Sequence, residues 1–208
     1  RHNSVSGLNA AWGTAYVDGD DFLGSIVLPD AKANADLRAF TGVMVDEYFR
    51  RTREAGKAFD PDLLYLGCRF AGKARDEVAA ASARHCDVVS YTMYRETIDD
   101  WRLPKGIDAP VMIGEFHFGA TDRGPFGTGG RQAKDQADRA AKMKAYVESA
   151  LANPQMVGVH WHQFSDQATS GRFDGEYLQV GWTDICDRPY EEAIEALRSI
   201  DIYAIRDR

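Results

Sequence analysis

Four short apolar segments, separated by helical patterns, constrain the fold of this 208-residue chain more than any other feature. The segments predict strands at residues 63–68, 87–93, 110–116 and 156–161. They are apolar on both faces, which is typical of a parallel sheet covered by helices. Strands that alternate with helices indicate βα units. The chain is therefore predicted to be an α/β protein.

Helical patterns surround these segments. Apolar spacing of three and four residues predicts helices at 6–12, from Asp30 to about Gly56, 73–85, 96–101, 132–152 and 189–199. Residues 1–30 are expected to be irregular apart from the first short helix. Residues 31–208 are expected to contain the βα units of a single domain.

Polar and aromatic side chains gather where the predicted strands end: Arg69, Tyr91, Tyr94, Glu115, His117 and residues 160–163. An open doubly wound sheet fits the same order of elements. A (β/α)8 barrel, however, places its active site at the carboxyl ends of its strands, so the pattern favours a barrel. Because such a barrel has eight strands and the chain offers four, half of a TIM barrel is predicted.

Glu115 is the candidate catalytic residue. It follows a run of apolar or small residues, and strand periodicity predicts that Val111, Ile113 and Glu115 share one face. A carboxylate at the end of a buried strand costs several kcal/mol to desolvate unless it has a partner. Glu115 is therefore interpreted as a functional group, with a structural salt bridge or a helix cap as the alternative.

Side chains suited to sugars surround this position. Flat aromatic rings can stack on sugar rings, and the candidates are Tyr91, Tyr94, Phe116, Phe118, Trp161 and Phe164. Polar side chains that could bind hydroxyl groups follow the last predicted strand: Gln163, Asp166, Gln167, Arg172, Asp174 and Gln179. The glycine-rich stretch 119–130 lacks the spacing of a phosphate-binding loop and is predicted to form a wall of the cleft.

A metal-dependent hydrolase is an alternative. His160 and His162 have metal-ligand spacing, and His117 lies on the neighbouring predicted strand. The three cysteines are widely spaced and are interpreted as small apolar residues.

Charge and hydropathy argue against nucleic acid and membranes as partners. The net charge is −7 with no basic block, so nucleic acid is not an expected partner. No apolar run reaches the roughly 18 residues of a membrane span.

Two long segments carry a resemblance to a known family. PVMIGEFHFGATDRGPF at 110–126 and VGVHWHQFSDQATSGRFDGEYLQVGWTDICDRPY at 157–190 resemble the β-agarases of glycoside hydrolase family 50. LNAAWGT, DLLYLGCRFAG and DVVSYTMY support the match, which runs from about Leu8 to Tyr190. LNAAWGT also occurs in related β-galactosidase-like barrels.

The resemblance implies a retaining glycosidase of the clan A barrels that cleaves β-1,4-galactosidic bonds of agarose. The four strands would be strands five to eight, with Glu115 as the nucleophile on strand seven. The acid/base Glu of strand four is expected before residue 1, because the chain contains no Asn-Glu pair. The 208 residues alone are therefore expected to be inactive without the N-terminal half of the barrel.

The resemblance also implies roles for other residues. Tyr91 or Tyr94 would donate to Glu115, and Arg69 would pair with a carboxylate or bind sugar. The substrate-binding set comprises Arg69, Tyr91, Tyr94, His117, Trp161, Gln163, Asp166 and Gln167. No cofactor or metal is expected, and secretion is implied. Another galactan-active or β-galactosidase-like barrel is the second hypothesis.

Overall fold

The computed structural model describes residues 1–26 and 31–206, so the predicted helix start at Asp30 lies outside the described residues. The helices are α1 (Val5–Trp12), α2 (Gly19–Gly24), α3 (Asn34–Phe59), α4 (Asp76–His85), α5 (Gln136–Ala152), α6 (Glu191–Arg198) and α7 (Ile202–Arg206). The strands are β1 (Arg69–Ala71), β2 (Val89–Thr92), β3 (Val111–Phe116) and β4 (Met156–Trp161). A short 3-10 turn at Ala31–Ala33 precedes α3.

The four strands form one parallel sheet in the order β1-β2-β3-β4. Each strand therefore pairs with the next one along the chain. Buried side chains of the sheet, including Val89, Val111 and Ile113, join Met143 and Tyr146 of α5 in one apolar core. The predicted α/β fold with a parallel sheet is confirmed.

The first predicted strand is displaced. Residues 63–68 form no strand, and the pairing with β2 begins at Arg69. Leu63 and Leu64 are exposed, while the Tyr65 carbonyl accepts from the backbone N–H of Asp87, just before β2, and the Tyr65 N–H donates to the Asp87 carboxylate. The apolar run therefore leads into the sheet without being part of it.

The helix predicted at 96–101 is also wrong. Ile98 donates its backbone N–H to Ser149 Oγ, and Asn153 Nδ2 donates to the carbonyls of Ile98 and Trp101. Side chains at the end of α5 thus bind the backbone groups that a helix would pair internally.

Three of the described helices, α1, α2 and α5, begin with a side chain that caps them. Asp135 accepts from the backbone N–H of Asp138 at the start of α5, and Ser4 caps α1 by accepting from Gly7. Asp18 caps α2 by accepting from Asp21, in a stretch predicted to be irregular. No helix in the described part of the chain is long and apolar enough to cross a membrane.

Candidate active site

An irregularity in β3 sets the direction of Glu115. The register between β3 and β4 shifts between Ile113 and Phe116, and Thr92 of β2 pairs with Glu115. Ile113 and Phe116 both lie in the core, although a regular strand would send residues three apart to opposite faces. The prediction that Val111, Ile113 and Glu115 share one face is therefore wrong. Glu115 lines a cavity instead.

Gly114 leaves room for the Arg69 guanidinium to reach the Glu115 carboxylate. A Cβ at Gly114 would lie 2.6 Å from Ser90 Oγ and 2.8 Å from Arg69 Cδ, so no larger side chain fits without a shift. Arg69 crosses the glycine and donates to its carbonyl at 3.1 Å. The same guanidinium reaches Glu115 Oε2 at 2.7 Å.

The second oxygen of Glu115 has a neutral partner. Tyr94 donates its hydroxyl to Glu115 Oε1 at 2.7 Å. Burial, followed by the bond to Glu115, raises the pKa of Tyr94 well above its usual range, so Tyr94 keeps its proton. Of the two tyrosines predicted for this role, the structure places Tyr94 against Glu115. Tyr91 packs instead between Phe70 and Trp101.

His117 lies behind Tyr94. Its Nδ1 is 3.2 Å from Tyr94 Oη, and its Nε2 accepts from the backbone N–H of Gly130 at 3.0 Å. Burial, and next the nearby His162, lower the pKa of His117 to about 4, so the ring is neutral at pH 7. Arg69, Tyr94, Glu115 and His117 are called the Glu115 cluster below.

The Glu115 cluster borders an open cavity of about 500 Å³. The other lining residues come from two loops and the end of β4: Gly129, Gly130, His162, Arg172, Glu176 and Leu178. The glycine-rich stretch 119–130 thus contributes a wall, as predicted. Glu176 and Leu178 were missed, because nothing in the sequence tells which part of the long loop after β4 folds back over the cavity.

The remaining predicted sugar-binding residues do not line this cavity. Tyr91 and Trp161 pack against other aromatic rings, and Gln163 Nε2 donates to the carbonyl of Ser165. Gln167 is buried, accepts from the backbone N–H of Leu178, and donates to Glu176 at 2.6 Å. Gln167 therefore supports a cavity-lining residue without reaching the cavity.

A second polar group, the Arg139 cluster (Arg139, Trp161, Asp166 and Tyr190), is buried except for the partly exposed Trp161. Arg139 is fully buried and donates to Phe118 O, Gln136 Oε1 and Gly181 O. Its guanidinium lies 5.3 Å from the Trp161 ring centroid and 5.1 Å from that of Tyr190. Burial lowers its pKa to about 10.

Asp166 completes this cluster. Its Oδ2 accepts from the Tyr190 hydroxyl at 2.6 Å and its Oδ1 from the Gly181 backbone N–H at 2.7 Å. Both carboxylate oxygens therefore have protein partners. The cluster joins the loop after β4 to α5 and to the start of α6.

The two histidines at the end of β4, His160 within the strand and His162 just after it, border different cavities. His162 lines the cavity beside Glu115, with its ring 5.7 Å from that of His117, whereas His160 is exposed and borders a different cavity. Within residues 1–26 and 31–206, no group of three or more His, Cys, Asp or Glu could hold a metal ion. The described residues thus offer the metal-dependent hypothesis no ligand set.

Known proteins resemble the chain over almost its full length. No family model matches it. β-Agarase A of Vibrio sp. (strain JT0107) is 40% identical over 208 residues, which cover 95% of this chain and 21% of that protein. A solved exo-β-agarase is 36% identical with a TM-score of 0.90, over 99% of this chain and 29% of the other. PfGH50B is 33% identical with a TM-score of 0.92, over 100% and 32%.

The resemblance to family 50 β-agarases is confirmed. It extends beyond the quoted motifs, since the match with the solved exo-β-agarase covers 99% of this chain. The chain spans about a fifth of β-agarase A and less than a third of the solved exo-β-agarase. The likeness to family 50 therefore concerns one part of those longer proteins.

Proposed function

We propose that this chain carries the nucleophile side of the active site of a retaining β-agarase, with Glu115 as the nucleophile. One observation carries the proposal. The Glu115 carboxylate faces a cavity, and Arg69 and Tyr94 each hold one of its oxygens at 2.7 Å. A carboxylate fixed in this way can present an oxygen to an anomeric carbon without reorienting.

The proposed reaction has two steps. Glu115 attacks the anomeric carbon of a galactose unit, the glycosidic C–O bond breaks, and a carboxylic acid protonates the leaving oxygen. The resulting carboxylate then removes a proton from water, the water oxygen attacks the anomeric carbon, and the bond between that carbon and Glu115 breaks, which releases the sugar with its original configuration. Retention needs the two carboxyl groups about 5–5.5 Å apart.

We propose that the sheet is the second half of a (β/α)8 barrel. The order β1-β2-β3-β4 has no reversal, unlike a doubly wound sheet, whose strand order reverses at a switch point. On this proposal β1 to β4 are barrel strands five to eight, with residues 1–30 after strand four. Polypeptide outside these 208 residues would supply the acid/base and the other half. The isolated chain would then be inactive.

The proposed substrate is agarose or a closely related galactan. The shared sequence of β-agarase A supports this class, and His162, Arg172 and Glu176 offer polar groups for sugar hydroxyls at the cavity. The reaction needs no cofactor or metal. Since a gelling polysaccharide does not enter the cell, we propose that the enzyme acts outside it.

The test compares the full-length protein with its Glu115→Gln variant on agarose. We expect release of neoagaro-oligosaccharides to fall about 10³-fold or more, since the covalent step loses its nucleophile. Glu54→Gln is the matched control, because Glu54 pairs with Arg50 on the surface of α3 and should leave activity unchanged. NMR of the first product should show retained anomeric configuration.

Each result has one meaning. Activity that survives Glu115→Gln would remove Glu115 from the mechanism. An inverted product would contradict the covalent step. If the wild-type protein is inactive on agarose but active on another galactan, that galactan becomes the assigned substrate in place of agarose.

A further inference from the structure

His117 has contacts that fix where its proton lies. Its Nε2 accepts the backbone N–H of Gly130, so this nitrogen must carry a lone pair. Its Nδ1 lies 3.2 Å from Tyr94 Oη. Because the single Tyr94 hydroxyl proton points to Glu115, the Tyr94 oxygen can only accept from the ring. Both contacts therefore require the neutral tautomer with a proton on Nδ1.

The other protonation states conflict with these contacts. A proton on Nε2, in the neutral or the charged ring, would face the N–H of Gly130. The neutral tautomer with a bare Nδ1 would compete with Glu115 for the Tyr94 proton. A Tyr94 proton turned toward Nδ1 would leave Glu115 Oε1 without its hydroxyl donor.

The loop backbone is shaped for this contact. A Cβ at Gly129, whose φ is +66°, would lie 2.1 Å from His117 Nε2. A Cβ at Gly130 would lie 2.7 Å from the Tyr94 ring. Two successive glycines thus let the loop backbone approach both rings, and the Gly130 amide reaches a nitrogen that is shielded from water.

We propose that His117, fixed as its Nδ1–H tautomer by the Gly130 amide, is a positioning residue that directs the Tyr94 hydroxyl proton onto Glu115. This inference rests on the proposed function of Glu115. It gives His117 a role different from sugar binding: the ring is 3% exposed, and both of its nitrogens have protein partners.

The surroundings of His117 keep the ring neutral. Burial has the largest effect on its pKa, and His162 and Arg139 lower the pKa further. Glu115 and the backbone of His162 act in the opposite direction and are outweighed. The resulting pKa of about 4 means that the His117 ring stays neutral above about pH 5.

Neutron diffraction from deuterium-exchanged crystals of the full-length protein at pH 7 tests the tautomer directly. We expect a deuteron on His117 Nδ1, none on Nε2, and the Tyr94 deuteron directed at Glu115. A deuteron on Nε2 would overturn the proposal. The measurement needs no substrate, so it stands or falls separately from the agarase assay with Glu115→Gln.

Kinetics of the full-length protein test whether His117 acts through Tyr94. His117→Gln can keep an acceptor for Gly130 but loses the donor to Tyr94, and we expect it to lower kcat about 10-fold with KM little changed. His117→Asn, which places an amide donor near the Nδ1 position, should retain more of kcat. In a Tyr94→Phe background, His117→Gln should change kcat less than about 2-fold.

The comparison of these variants separates positioning from simple packing. If the effects of His117→Gln and Tyr94→Phe multiply, His117 does not act through the Tyr94 hydroxyl and the proposal is wrong. If His117→Gln raises KM and leaves kcat unchanged, the ring binds substrate instead. Retention of kcat by His117→Gln but not by His117→Asn would assign the effect to the Gly130 loop and also contradict the proposal.

Discussion

Two polar clusters lie near the carboxyl ends of β3 and β4, and they differ in their access to solvent. The Glu115 cluster opens to a cavity of about 500 Å³, and the Glu115 side chain keeps 17% of its surface exposed. In the Arg139 cluster, Arg139 is fully buried and Asp166 is 5% exposed. Both contain a cation, a carboxylate and aromatic side chains.

The difference shows how one cluster supports the other. The Arg139 cluster holds the loop after β4 through Asp166 and Gly181, and the same loop carries Gln167, which binds Glu176 at the cavity. The Arg139 cluster therefore helps to shape a wall of the cavity at the Glu115 cluster. Substitutions should separate the two: those in the Arg139 cluster should affect stability first, and those in the Glu115 cluster activity first.

The largest expected effect on stability is that of Arg139→Met. Three acceptors, Phe118 O, Gln136 Oε1 and Gly181 O, would lose their donor inside the protein. At about 1–3 kcal/mol for each unsatisfied buried group, we expect the free energy of unfolding to fall by about 4 kcal/mol. Urea unfolding and hydrogen exchange of peptides from 163–183 measure the loss.

Arg51→Met is the control for this variant. Arg51 is exposed and pairs with Glu47 on the surface of α3, so its removal should change stability by less than about 1 kcal/mol. If Arg139→Met leaves the 163–183 loop protected while abolishing activity, the distinction between the clusters is wrong.

Local patterns account for the part of the fold that could be predicted. β4 is found at the predicted residues 156–161, and β3 begins one residue after the predicted start, because both are apolar runs bounded by turns. The error at 63–68 has a tertiary cause. An apolar run shows that a segment is extended but does not show where its pairing with β2 begins.

Most of the site residues that could be predicted from the sequence lie near the ends of strands. Tyr94, Glu115 and His117 stand at or near the ends of β2 and β3, and the structure brings them together with Arg69, the first residue of β1. Whether Trp161 and Asp166 face the cavity could not be predicted, because their positions depend on structural details that a sequence pattern does not contain. The register shift in β3 and the path of the loop after β4 decide which side chains face the cavity.

A pH dependence of stability should come from His117. Its pKa falls from 6.5 in the unfolded chain to about 4 in the folded state, so the unfolded chain binds the proton more tightly. Stability from this group is therefore complete above about pH 6.5 and decreases as the pH falls to about 4, by up to roughly 3 kcal/mol. Urea midpoints followed by tryptophan fluorescence at pH 4 to 7 measure this slope.

Two variants isolate the contribution of His117. His117→Gln should flatten the slope between pH 4 and 6.5, whereas substitution of the exposed His160 by Gln should leave it as in the wild type. A slope that is identical in all three proteins would show that the buried ring is not the group that titrates.

The smallest expected effect tests Asp166, a residue that sequence alone assigns to sugar binding. Asp166→Asn leaves one oxygen for two donors, the Tyr190 hydroxyl and the Gly181 N–H, so one buried donor loses its acceptor. We expect a loss of about 1–2 kcal/mol in urea unfolding, with kcat and KM on agarose within about 2-fold of the wild type. Asp108→Asn on an exposed loop is the control. A raised KM with unchanged stability would return Asp166 to the substrate-binding surface, and the two clusters would then be parts of one site.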